Sequence, residues 1–74
     1  MARQRFFFHV FDGTWLCDEV GESQVDSTAA LHQARSLARE LLEDDNGGWC
    51  RARIEVADEQ GRVVGKIAVR DLCH

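Results

Sequence analysis

The sequence contains no proline and no long apolar run. Its densest hydrophobic stretch, residues 5–11, is interrupted by a histidine and meets Asp12-Gly13 at once. A membrane-spanning helix needs about 20 apolar residues. The same stretch is too short for the hydrophobic region of an export signal. We therefore expect no membrane contact and a cytoplasmic location.

Cysteine is present at three positions without any CxxC pairing: Cys17, Cys50 and Cys73. In a cytoplasmic protein this pattern predicts free thiols rather than a disulfide framework, and we expect Cys17 and Cys50 to be small buried residues. Cys73-His74 offers a thiolate and an imidazole, but no second pair follows at zinc-finger spacing. No metal or other cofactor is expected.

Patterns that indicate catalysis are also missing. Residues 61–67 resemble a phosphate-binding loop but have one residue too few between the glycines and no hydroxyl residue. No Ser-His-Asp or Cys-His arrangement is indicated. The spacing of the carboxylates at 18–22 and 43–45 does not indicate an acid/base pair either. His9 lies among aromatic residues, a setting that is more typical of a packed histidine than of a catalytic one. We expect that the protein is not an enzyme.

What the chain does contain is typical of one small globular domain spanning residues 1–74. It is 74 residues long, with 45% hydrophobic and 30% charged residues. Its formal net charge of −4 disfavours indiscriminate binding to nucleic acid, yet permits a local basic patch.

Local patterns predict two strands, a helix and two further strands. Residues 5–11 are strongly β-prone, and Asp12-Gly13 predicts a two-residue type I′ turn into a strand at 14–18. Asp26 or Ser27 can cap a helix, whose end is predicted at Asn46-Gly47-Gly48. The apolar stripe of this helix contains Ala30, Leu31, Ala34, Leu37, Ala38, Leu41 and Leu42.

Residues 49–57 and 62–70 predict a second hairpin. Ala52, Ile54 and Val56 alternate with polar residues, and Gly61 suits the left-handed position of the turn. In the last strand we expect Val63 to point inward and Val64 outward. The whole predicts an α+β fold of order ββαββ, a four-stranded, mostly antiparallel sheet with one helix packed on one face.

The first strand has aromatic residues on both of its faces, although one helix covers only one face of a sheet. Because side chains alternate between the two faces of a strand, Phe7, His9 and Phe11 share one face, and we expect that face to point away from the helix. The second hairpin adds cations to the same face: Arg51, Arg53, Lys66 and Arg70. An apolar patch rimmed by polar groups marks a contact site. These seven residues are the candidate interface.

Several occupants of this face are compatible with the sequence. A homodimer is favoured, because a two-fold contact needs only one self-complementary patch. The same residues could instead bind single-stranded nucleic acid, with bases on the aromatics and phosphates on the arginines. A different protein partner is also compatible with this face, as is coverage by the chain's own segments.

The opening run RFFFHVFDG resembles that of a family of short, uncharacterised bacterial proteins, whose first strand and turn read aromatic-Phe-Phe-His-Val-x-Asp-Gly. The likeness continues through DEVGE at 18–22, the alanine-rich helix and IEVADEQGRV at 54–63. It implies a domain without an assigned activity. A fainter similarity to HicB-like antitoxin domains, which also place a hairpin and an acidic-glycine loop before a capped helix, implies a protein partner.

Overall fold

The computed structural model describes residues 3–44 and 51–72. Within them the elements are β1 (Gln4–Phe11), β2 (Trp15–Leu16), β3 (Glu22–Gln24), α1 (Ser27–Asp44), β4 (Arg53–Ala57), β5 (Val63–Ala68) and a 3₁₀ turn (Val69–Leu72). The strands form one antiparallel sheet of order β2-β1-β4-β5, and β3 pairs with the other end of β1. The predicted α+β class, with one helix packed on the sheet, is confirmed. The sheet has one more strand than predicted.

The core lies between α1 and one face of the sheet. Ala30, Ala34 and Ala38 recur every four residues along α1 and are fully buried, which lets the helix approach the strands closely. Beneath them lie buried residues of β1 and β4 and the start of the 3₁₀ turn: Phe6, Phe8, Ile54, Val56 and Val69. On β5, Gly65 has no room for a Cβ because Leu31 of the helix packs directly against it.

The helix begins where the sequence predicted. The Asp26 side chain accepts the backbone N–H of Ala29 at 2.8 Å, and its carbonyl accepts the N–H of Ala30 at 3.1 Å. Asp26, rather than Ser27, is therefore the cap, because it satisfies donors that the first turn leaves free. The predicted cap at 46–48 lies outside the described residues, as do Cys50, Cys73 and His74. Among the described residues, no helix is long and apolar enough to cross a membrane.

The first hairpin differs from its prediction by one residue. Phe11 pairs with Trp15, so three residues, 12–14, form the connection instead of two, and Gly13 has a φ of 82°. The returning strand contains only Trp15 and Leu16, shorter than the predicted 14–18. The chain then pairs with β1 a second time through β3, a strand that the sequence patterns did not predict.

The last strand also departs from its prediction. Val56 pairs with Gly65 and Ala57 with Val63, so Val64 is an extra residue in β5. Such a bulge reverses the alternation beyond it. The expected orientations of the two valines are therefore wrong, because Val64 packs against the core while Val63 is 48% exposed. The strand ends at Ala68, so Arg70 lies in the 3₁₀ turn and not in a strand.

We expect Ile54→Ala to lower the free energy of unfolding by about 2–5 kcal/mol, because Ile54 of β4 is fully buried and its truncation leaves a cavity. Urea denaturation at neutral pH measures this loss. Val63→Ala, at a half-exposed position of the neighbouring strand, is the control and should cost much less. Equal losses would contradict the described core.

Candidate functional site

One face of the sheet points away from α1, and its residues follow from the strand register. Phe7, His9 and Phe11 pair with Ala57, Glu55 and Arg53, which in turn pair with Val63, Lys66 and Ala68. Because paired residues point to the same side, these nine residues, together with Trp15 opposite Phe11, form what we call the open face. Five of the seven predicted interface residues therefore share it: Phe7, His9, Phe11, Arg53 and Lys66.

The centre of the open face is a charge cluster around Glu55. Its carboxylate lies 3.4 Å from the Arg53 guanidinium and 3.9 Å from the Lys66 ammonium. The Glu55 side chain is mostly buried, whereas the two cations reach into solvent. One carboxylate shared between two cations lowers the local positive charge without cancelling it.

The aromatic residues form two groups along the face. The rings of Phe7 and His9 are parallel within 8°, with centroids 6.4 Å apart. Phe11 and Trp15 have centroids 4.9 Å apart at a tilt of 56°, and the Arg53 guanidinium lies 4.7 Å from the Phe11 centroid and 5.6 Å from that of Trp15. These distances are within the range of cation–π attraction. Trp15 remains 44% exposed.

Arg51 and Arg70 lie beyond the strand ends rather than on the strands themselves. Arg51 precedes β4 and Arg70 follows β5, at the end of the sheet where Arg53 also lies. The three arginines line one shallow depression of about 450 Å³, with Ala52 and Ala68 as its remaining lining. We call this region, Arg51, Arg53 and Arg70 with the two alanines, the arginine end.

Asp18 holds the outer edge of β1, in the gap between β2 and β3. Its carboxylate accepts three backbone N–H groups, from Phe8 at 3.2 Å and from Val20 and Gly21 at 3.0 Å each. Its own N–H donates to Nδ1 of His9 at 3.0 Å. This bond uses the unprotonated Nδ1 of His9 and fixes the ring. Asp18 thus joins the β2–β3 connection to the middle of β1.

The environment of Asp18 lowers its pKa below the usual 3.8. Burial by itself raises the pKa, but the N–H groups of Gly21, Phe8 and Val20 stabilise the carboxylate by more.

Gly21 makes the close approach of this connection possible. Its φ is +75°, and a Cβ there would lie 2.8 Å from Cγ of Arg5 and 2.9 Å from the carbonyl oxygen of Phe6. The Arg5 guanidinium in turn donates to the carbonyl of Val20 at 2.9 Å. The β2–β3 connection is therefore held against β1 by contacts on both its backbone and its side chains.

Sequence reasoning missed Trp15 and Asp18 as parts of the site. Predicting a three-residue turn would have placed Trp15 in the site, since that register sets it beside Phe11. The contact of Asp18 with β1 carries no local signal, because its partners on that strand are about ten residues away in the chain. Cys17 is a free thiol as predicted, but it is exposed, since β2 ends before it and it lies in the surface connection.

The described residues contain no group of three His, Cys, Asp or Glu side chains that could hold a metal ion. Comparison with known proteins adds one finding. Residues 5–70 match the family described as "Domain of unknown function (DUF6894)". Neither the curated proteins nor the solved structures contain a match to this chain.

We expect Asp18→Asn to destabilise the fold at pH 7 by about 1–3 kcal/mol, because an amide cannot accept all three N–H groups. The lowered pKa stabilises the native state above pH 3.8, where the unfolded carboxyl is also ionised. As the pH falls through the native pKa, this contribution is lost. Urea denaturation from pH 7 to pH 3 should therefore show the difference between variant and wild type shrinking.

Glu19→Gln, which removes the same charge at an exposed neighbour, is the control and should change stability at pH 7 by no more than about 0.5 kcal/mol. A difference for Asp18→Asn that stays constant down to pH 3 would contradict the assigned role of the carboxylate.

Gly21→Ala and Gly61→Ala form a matched pair, since both glycines have a positive φ, of 75° and 81°. A Cβ at Gly61 meets nothing within 4 Å, so that variant should lose only about 1–2 kcal/mol for the left-handed backbone. Gly21→Ala adds a clash with the Phe6 carbonyl and should lose more. Thermal unfolding of both variants measures the difference, and equal losses would show that the connection does not lie against β1.

Proposed function

We propose that this chain, which belongs to the family described as Domain of unknown function (DUF6894), is a non-catalytic interaction domain that self-associates through its open face. The observation that supports this most directly is the group of aromatic side chains opposite the helix. Phe7, His9 and Phe11 are partly exposed, and Trp15 is 44% exposed. Aromatic residues concentrated on one surface are typical of protein interfaces.

The sheet edges are less suited to self-association than the face. An edge strand recruits another chain when it is long, flat and regular. Here one edge consists of β2 and β3, with two and three residues, and Asp18 occupies the gap between them. The other edge, β5, contains the bulge at Val64 and the exposed Lys66. Short strands, bulges and lysines all oppose edge-to-edge pairing, which favours contact through the face.

Charge also favours a second copy with a particular orientation. The row His9, Glu55 and Lys66 crosses the middle of the face and contains both signs of charge. If the two-fold axis crosses the strands near Phe7 and His9, the arginine ends of the two copies lie at opposite ends of the contact, which limits repulsion between like charges. A self-complementary patch of this kind is what an isologous dimer requires.

A catalytic role has less support. The Nδ1 atom of His9 already accepts the N–H of Asp18, and the Asp18 carboxylate already accepts three backbone donors. A general base needs a free lone pair directed at a substrate. This nearest acid–imidazole pair instead holds the β2–β3 connection on the sheet.

Light scattering across a dilution series tests self-association. We expect the wild type to reach twice the 8.4 kDa mass of one chain, and to keep it at 1 M salt because the contact is largely apolar. Phe7→Asp should lower the dimerisation affinity at least tenfold, since it places an unpaired charge at the centre of the contact. A wild type that stays monomeric at every concentration would overturn the proposal.

Val25→Asp is the matched control, because Val25 is 51% exposed and lies outside the open face. It introduces the same charge and should leave the dimer unchanged. Circular dichroism of both variants separates loss of contact from loss of fold. Equal weakening by the two substitutions would mean that the contact does not use the open face.

A further inference from the structure

We infer that the arginine end, together with Phe11 and Trp15, binds single-stranded nucleic acid. This inference goes beyond self-association and does not rest on it. The three arginines converge on one depression of about 450 Å³ at the end of the sheet. The guanidinium group is planar and donates two parallel hydrogen bonds to phosphate, so a group of three is suited to a phosphate backbone.

The charges of the arginine end are only partly neutralised. Arg53 shares Glu55 with Lys66, at 3.4 Å. Among residues 3–44 and 51–72, Arg51 and Arg70 form no ion pair with a carboxylate. This local excess of cations contrasts with the net charge of −4 of the whole chain. The arginine end can therefore attract phosphate although the chain as a whole is acidic.

The aromatic neighbours distinguish a nucleic acid from other anions. Phe11 and Trp15 adjoin Arg53 in the same row across the sheet, and Arg53 lies against both rings. An anion without an aromatic ring would use only the arginines. A nucleotide in a single strand can stack its base on the exposed ring of Trp15 while its phosphate contacts the arginines.

A single strand is favoured over a duplex for the same reason. Bases in a duplex are already stacked on each other, so their faces are not available to Trp15. Sheet surfaces that bind single strands combine aromatic platforms with a cationic groove, and they are tolerant of sequence. The depression and the Phe11–Trp15 pair supply these two parts side by side.

Fluorescence anisotropy with a labelled 12-nucleotide oligouridylate, at a series of salt concentrations, tests the inference. Three phosphate contacts predict that the logarithm of the binding constant falls with that of salt with a slope of roughly −2, at about −0.7 per contact for a single strand. Arg70→Gln should weaken binding and reduce the slope by about 0.7. Trp15→Ala should weaken binding about 5- to 150-fold with the slope unchanged.

Arg35→Gln is the control, because Arg35 lies on the exposed side of α1, away from the arginine end. It removes the same charge and should change neither affinity nor slope. Arg70 and Trp15 are both exposed, so these variants should remain folded. The absence of saturable binding, or equal effects of Arg35→Gln and Arg70→Gln, would overturn the inference.

Two competitors complete the test. A polyglutamate peptide and the matching duplex RNA should displace the oligonucleotide at least tenfold less effectively than unlabelled oligouridylate. Equal displacement by the peptide would mean that the arginine end recognises acidic proteins. Equal displacement by the duplex would mean that base stacking on Trp15 has no role. Either result would contradict the proposed ligand.

Discussion

The Asp18 carboxylate supplies the interaction on which the rest of the open face depends. β2 pairs only with the end of β1 and β3 only with its start, so residues 7–9 have no strand partner on that side. Asp18 fills this gap by accepting the N–H of Phe8, and it turns the chain by accepting those of Val20 and Gly21. Because its own N–H holds the imidazole of His9, the same residue both closes the strand edge and orients an interface side chain.

The open face is divided into two parts with different chemistry. Its centre combines the stacked Phe7 and His9 with a carboxylate shared by two cations, and is suited to contact with a copy of itself. Its arginine end concentrates positive charge beside Phe11 and Trp15. The proposed dimer is centred on the first part, and the proposed nucleic-acid contact on the second.

Patterns within a few residues predicted much of this fold. The stripe of Ala30, Ala34 and Ala38 indicated the helix and its buried side, and Asp26 indicated its start. The alternation around Ile54 indicated β4. The prediction failed where one residue changes the register. With the two-residue turn, Trp15 would share a face with Val10, whereas the three-residue turn places it beside Phe11. The bulge at Val64 likewise exchanged the expected orientations of Val63 and Val64.

Periodicity and composition thus determined the class of fold, the buried side of the helix and the aromatic character of the exposed side of β1, because these depend on neighbours in the chain. Folding in three dimensions decided which distant residues meet. Arg51 and Arg70 line one depression because β4 and β5 pair in an antiparallel register. Asp18 reaches Phe8 because β2 is short and Gly21 permits a close approach. Such contacts depend on turn lengths and single-residue bulges, which local residue preferences only weakly constrain.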